Sequence, residues 1–193
     1  FVAGAIHSGL AMVLTLMIPL RKLFKYEDII TIEVLQNVAK TIVLTGWIVG
    51  LAYGTEYFIA WYSHNTIEME QFRWRALGDY RWGFYFMVLC NTLIPLLFVF
   101  KKVRTTIATL FIISLIVNFG MWWERFVIIV GGVAHGFAPH AWGLYTPTLI
   151  EFGIMLGAFC LFFFLFVLFA RHLPSVSMTE MKETLAEGAG HVA

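Results

Sequence analysis

The sequence predicts an all-α integral membrane protein with about five transmembrane helices. Three observations carry this: 60% of the 193 residues are apolar and only 13% charged, the mean hydropathy is +0.81, and the apolar residues fall into runs of about 20 parted by short polar stretches. Only a helix or a closed barrel satisfies its own backbone groups across about 30 Å of hydrocarbon. Runs this long, without two-residue alternation, are helices.

The first run covers 1–20. No basic stretch precedes it and no small-residue cleavage site follows, so it does not read as a signal peptide. The start at Phe1, inside an apolar run, gives the expectation that the sequence begins part-way through a larger protein, with helices upstream. The second run, 32–62, carries Gly46, Gly50 and Gly54 at four-residue spacing, a small-residue stripe that admits a neighbouring helix. In the third, 80–100, Pro95 removes a backbone hydrogen bond near Asn91, which predicts a kink with the Asn91 amide turned to the freed carbonyl. The fourth is 105–133. There Ser114, Asn118 and Arg125 fall within about 40° of one another, a polar stripe expected to face the interior, with Trp122 beside it and Glu124 one step round. The fifth, 148–171, is rich in Phe. The connections 21–31, 63–79, 101–104 and 134–147 are too short for domains, so the chain reads as one bundle over 1–173 and a polar tail over 174–193, with a helix start at Ser177.

Arg21, Lys22 and Lys25, then Lys101, Lys102 and Arg104, then Arg171 all fall on one side of this topology. The positive-inside rule places that side, and the C-terminus, in the cytoplasm. Tyr57, Trp61, Trp74, Tyr80, Trp82, Trp142 and Tyr145 cluster at the other level, as an interfacial belt does.

Composition also excludes. A net charge of +1 does not suit nucleic acid. Cys90 and Cys160 lie in apolar runs and make neither a disulfide framework nor a thiolate cage, and an iron–sulfur cluster needs about four thiolates, so any cluster belongs to a partner. Only His7 lies deep in a span. His64, His135, His140 and His172 lie in connections or at helix ends, so neither a haem pair nor a metal site is expected.

A charge in a span costs at least about 2.5 kcal/mol and is usually paired or functional. His7, Glu56, Glu124, Arg125 and Glu151 fall in the outer half of the membrane, while Lys40 lies in the inner half, where it snorkels. Adjacent helical residues do not face each other, so Glu124 needs a partner from another helix: His7, or a residue of the helices expected upstream of Phe1. The bland alternative is a buried ionic tie that fixes helix register.

The segment 118–130, NFGMWWERFVIIV, resembles the helix with a Met-Trp-x-Glu-Arg-Phe pattern in NrfD-like, polysulfide-reductase-type membrane subunits. WGLYTPTLIE at 142–151, and the last helix with MTEMK at 178–182 beyond it, resemble the close of the same family, so the likeness is expected to be strongest over roughly the last 80 residues. Within the family the sequence is most similar to the alternative complex III branch, its ActC-type subunit first and its ActF type next. The resemblance implies the second half of a two-bundle subunit in a bacterial inner membrane. It implies a multi-subunit quinol-oxidising respiratory complex, with menaquinol or another quinol as substrate. Its partners would be an iron–sulfur subunit, a multihaem cytochrome c and a homologous membrane subunit, with no redox cofactor on this chain and no catalysis by it alone.

On that reading Glu124, Arg125, Asn118, His7 and Glu56 are candidates for a proton path, and Trp122 and Trp123 for quinone contact. The competing reading is a non-redox scaffold or transporter half whose buried charges are structural.

Overall fold

The computed structural model describes residues 1–27, 29–78, 80–134, 142–143 and 145–172. The helix start expected at Ser177, the tail, His135 and His140 lie outside them. The chain divides into two units, Phe1–Tyr145 and Thr146–Ala193. Among the described residues all regular structure is helical, and five helices are long and apolar enough to cross a membrane: Val2–Leu23, Ile32–Tyr62, Arg81–Val99, Ile107–Ala134 and Leu149–His172.

The first unit holds four of these. Helix α1 spans Val2–Leu23, and Lys25 turns the chain with a φ of 56° into α2, Ile32–Tyr62. The stretch expected as a plain polar connection folds instead into α3, Thr66–Leu77, whose N-cap Asn65 accepts the Ile67 N–H at 3.2 Å. Phe72 of α3 packs edge-on against Tyr57 of α2, with ring centroids 5.0 Å apart. The third span is composite. It starts as α4, Arg81–Val88, widens to a π turn at Leu89–Leu93, and tightens to a 3₁₀ helix at Ile94–Val99. Pro95 is the cause, because it has no N–H to continue the α ladder. A short α5, Lys101–Thr105, leads into α6, Ile107–Arg125, which passes through a second π turn, Phe126–Val130, to α7, Gly131–Ala134.

Short connections make neighbouring spans antiparallel, and the contacts close a ring: α1 packs on α2 and α6, and the third span packs on α2 and α6. The second unit contains α8, Leu149–His172, and at its start the Glu151 carboxylate accepts the Thr148 backbone N–H at 2.7 Å. Glu151 is therefore a helix-start residue, acting as the acidic half of a capping box.

The ring has two apolar clusters. One, toward the basic end, includes Ala11, Leu14, Leu35, Ala39, Ile42, Phe98, Leu110, Ile113, Val117 and Met121. The other joins Val49, Tyr53, Met87 and Val127. On each of the four spans of the ring a polar residue sits between the two: His7 on α1, Thr45 on α2, Asn91 in the π turn and Glu124 on α6. All four are buried.

The glycine stripe of α2 behaves as helical geometry requires. A four-residue step advances about 40°, so a stripe at that spacing walks off its own face. At Gly46 the position of a Cβ lies 3.3 Å from both the Asn91 carbonyl oxygen and His7 Cε1, and at Gly50 it lies 2.6 Å from Thr92 Cγ2. By Gly54 nothing lies within 4 Å.

Candidate functional site

Glu124 is the centre of the polar layer. Its Oε2 accepts the Tyr53 hydroxyl at 2.6 Å and the Asn91 amide at 3.0 Å, and the same amide nitrogen donates to the Tyr53 oxygen at 3.1 Å. Three helices thus meet on one carboxylate oxygen. The second oxygen, Oε1, faces α1: the point where a Cβ would stand on Gly4 lies 3.8 Å from it and 3.7 Å from an Arg125 guanidinium nitrogen.

The backbone explains the convergence. A π turn adds one residue to a helical turn and rotates the residues beyond it about the helix axis, and such turns recur at functional sites. Asn91 lies inside one π turn, and the other begins two residues after Glu124. Close approach is set by Gly120, where a Cβ would run into Cys90 Cβ and come within 2.5 Å of Asn91 Oδ1.

Several expectations need correction. The Asn91 amide does not fill a carbonyl freed by Pro95; it binds Glu124 and Tyr53, because a carboxylate acceptor is stronger than a carbonyl. Glu124 is paired not with His7 but with Tyr53 and Asn91. It is not one step round from the interior face either: Leu110, Val117 and Glu124 recur at seven-residue steps, about 20° apart, and all three are buried. Arg125 stands at the flank of that face, its guanidinium 4.1 Å from the centroid of the Phe1 ring, a cation–π contact.

The other candidates disperse. Asn118 donates to Thr15 Oγ1 at 2.9 Å, and Thr15 also contacts the Ser114 hydroxyl at 3.0 Å, forming a separate polar group nearer the basic end. His7 is fully buried, with Nδ1 2.8 Å from Thr45 Oγ1. Glu56 is exposed and Lys40, also exposed, donates to Asn37 at 3.0 Å. The Trp123 indole N–H donates to the Gly83 carbonyl at 3.1 Å, which fixes α6 to α4, while Trp122 is half-buried against Phe119. Tyr53 and Thr45 were missed. The available signal was α2 itself, where Tyr53 follows Gly46 by seven residues and so shares its face.

A helical bundle with a protonatable carboxylate held by neutral donors at membrane depth defines an integral membrane protein built to carry a buried acid. The polysulphide reductase NrfD family matches residues 1–136, and the chain belongs to it. That match contains the whole polar layer and the motif at 118–130. It stops short of 142–151 and the last helix, so the match covers the four-span unit, and the likeness expected beyond residue 136 is not part of it. No curated protein matches the chain. Membership makes this an integral membrane subunit of a quinone-interacting redox complex, in a family that typically works with iron–sulfur subunits.

Proposed function

We propose that this chain serves a quinol-oxidising respiratory complex of the alternative complex III type, as an ActC-like or, next, ActF-like subunit, and that Glu124 handles the protons released by quinol oxidation. The supporting observation is the Glu124 carboxylate itself, buried between Tyr53 and Asn91 with neutral donors on one oxygen. A carboxylate so held keeps its geometry whether or not it carries a proton, because Tyr53 and Asn91 donate to Oε2 and leave Oε1 for the proton. The electrons pass to an iron–sulfur partner and onward to a multihaem cytochrome c, and the chain itself carries no redox centre. Menaquinol is the substrate we favour. The basic end, with Arg21, Lys22, Lys101 and Lys102, faces the bacterial cytoplasm, as does the C-terminus.

Replacing Glu124 by Gln preserves shape and removes the exchangeable acid. Quinol turnover by the intact complex should fall at least about 100-fold, the scale of a lost general acid or base, while the subunits still assemble. The competing reading has its own support, since Glu124 joins α2, the third span and α6. On that reading the complex falls apart, or turnover is unchanged in a complex that stays together.

A further inference from the structure

His7 and Asn91 each bury a polar atom that has no hydrogen-bond partner among the described residues: His7 Nε2 and Asn91 Oδ1. Both residues are fully buried, and the Cβ position of Gly46 lies 3.3 Å from the ring of one and 3.3 Å from the backbone carbonyl of the other. An unsatisfied buried polar atom is destabilising, so two on facing helices of one layer call for a common explanation.

Hydrogen counting shows what each atom is. Thr45 Oγ1 lies 3.1 Å from the backbone carbonyls of both Thr41 and Ile42, and we assign its single hydroxyl hydrogen to them. With that hydrogen on the backbone Thr45 Oγ1 accepts from His7, which assigns the N–H to Nδ1 and leaves Nε2 of the neutral ring a lone-pair acceptor. The two amide hydrogens of Asn91 go to Tyr53 and Glu124, which leaves Oδ1 an acceptor as well. Two acceptors cannot bond each other. A water molecule, with two hydrogens to give, satisfies both.

The third partner of such a water is on the same side. Glu124 Oε2 is occupied by two donors, so a proton on this carboxyl sits on Oε1, which faces Gly4. His7 follows Gly4 by three residues, one turn along the same face of α1. We propose that an internal water accepts from the Glu124 carboxylic acid and donates to His7 Nε2 and Asn91 Oδ1, making His7 the next proton carrier after Glu124. In the step, the Glu124 O–H bond breaks as its proton passes to the water, and the water gives one of its own hydrogens to Nε2. The products are a Glu124 carboxylate, an unchanged water and a His7 imidazolium that still donates from Nδ1 to Thr45. Tyr53, Arg125 and Cys90 are the other titratable groups around this layer; Tyr53 donates to Glu124 and Arg125 flanks Oε1. As a role in proton release this rests on the quinol reading; the water link does not.

The test is infrared spectroscopy of the purified complex, with the Glu124 carboxyl band assigned by its loss in Glu124→Gln. An asparagine at position 7 reproduces Nδ1 but has no Nε2, whereas a glutamine reproduces a hydrogen-bonding group at Nε2. His7→Asn should shift the Glu124 band and slow its hydrogen–deuterium exchange at least about tenfold, the effect of losing one relay member. His7→Gln should hold the band near its wild-type position and still lower quinol turnover. An unchanged band and exchange rate in assembled His7→Asn overturns the link. Nitrogen-15 solid-state NMR of the wild-type complex decides without a variant: the Nδ1–H tautomer with a water contact at Nε2 supports the proposal, and an Nε2–H tautomer, or no water contact there, overturns it. Coupling without any loss of turnover in Glu124→Gln would keep the water link and reject the quinol role.

Discussion

Tyr53 carries a specific expectation at the scale of the single residue. Its hydroxyl is the shorter of the two bonds to Glu124, 2.6 Å against 3.0 Å for Asn91. Tyr53→Phe removes that donor and keeps the ring in its apolar cluster. Hydrogen bonds between membrane helices are worth about 0.6 kcal/mol on average and up to about 1.7, and this one, to an acid group, belongs at the upper end. Denaturant titration in detergent should register a loss of about 1–1.7 kcal/mol. In a double-mutant cycle with Glu124→Gln the double variant should lose less than the sum of the two single losses, because both act on one bond. Glu124 was legible in the sequence because a carboxylate in a span is conspicuous. Its partners were not: a tyrosine near an interface and an asparagine near a proline each have an ordinary local explanation, and only the folded ring brings them to one oxygen.

Helix faces decide which glycines matter at the scale of the element. Gly120 sets the distance between α6 and the π turn of the third span, where a Cβ would meet Cys90 Cβ and Asn91 Oδ1. Cys90 Cβ is fixed to the backbone and cannot swing away, so Gly120→Ala must part the helices. Overpacking of this kind costs about 1–3 kcal/mol, and the thermal transition of the detergent-solubilised protein should drop accordingly. Gly54→Ala meets nothing within 4 Å and replaces a flexible residue within a helix. It should be neutral or stabilise by up to about 1 kcal/mol in the same melt. Spacing alone ranked Gly46, Gly50 and Gly54 together; the 40° drift per step separates them. Pro95 announced an irregular third span, but a proline does not say whether the chain relaxes as a kink or as a π turn followed by 3₁₀. Helix α3 escaped because its twelve residues, Thr66–Leu77, carry charges throughout and scatter their apolar residues around the helix, Phe72 being buried while Ile67, Met69 and Leu77 are exposed, so no apolar face marks it.

At the scale of the whole molecule the quinol reading places the electron acceptor in a partner, so function on that reading lies in what docks to the four-span ring. The apolar runs made the spans legible from sequence, since hydrocarbon permits little else. The partners leave no such mark, because an interface within the membrane is apolar like a surface that faces lipid and differs from it mainly in its share of small and polar residues. Extraction in mild detergent followed by mass spectrometry and an optical spectrum addresses this directly. The expected preparation contains an iron–sulfur protein and a multihaem cytochrome c, with the c-type haem bands reduced on adding a quinol. The proton role predicts further that Glu124→Gln leaves those subunits and their dithionite-reduced spectrum in place while quinol-driven haem reduction slows. A preparation without haem or partners, stable on its own, would instead favour the scaffold or transporter half, and Glu124 would then be the tie among three helices that its hydrogen bonds also describe.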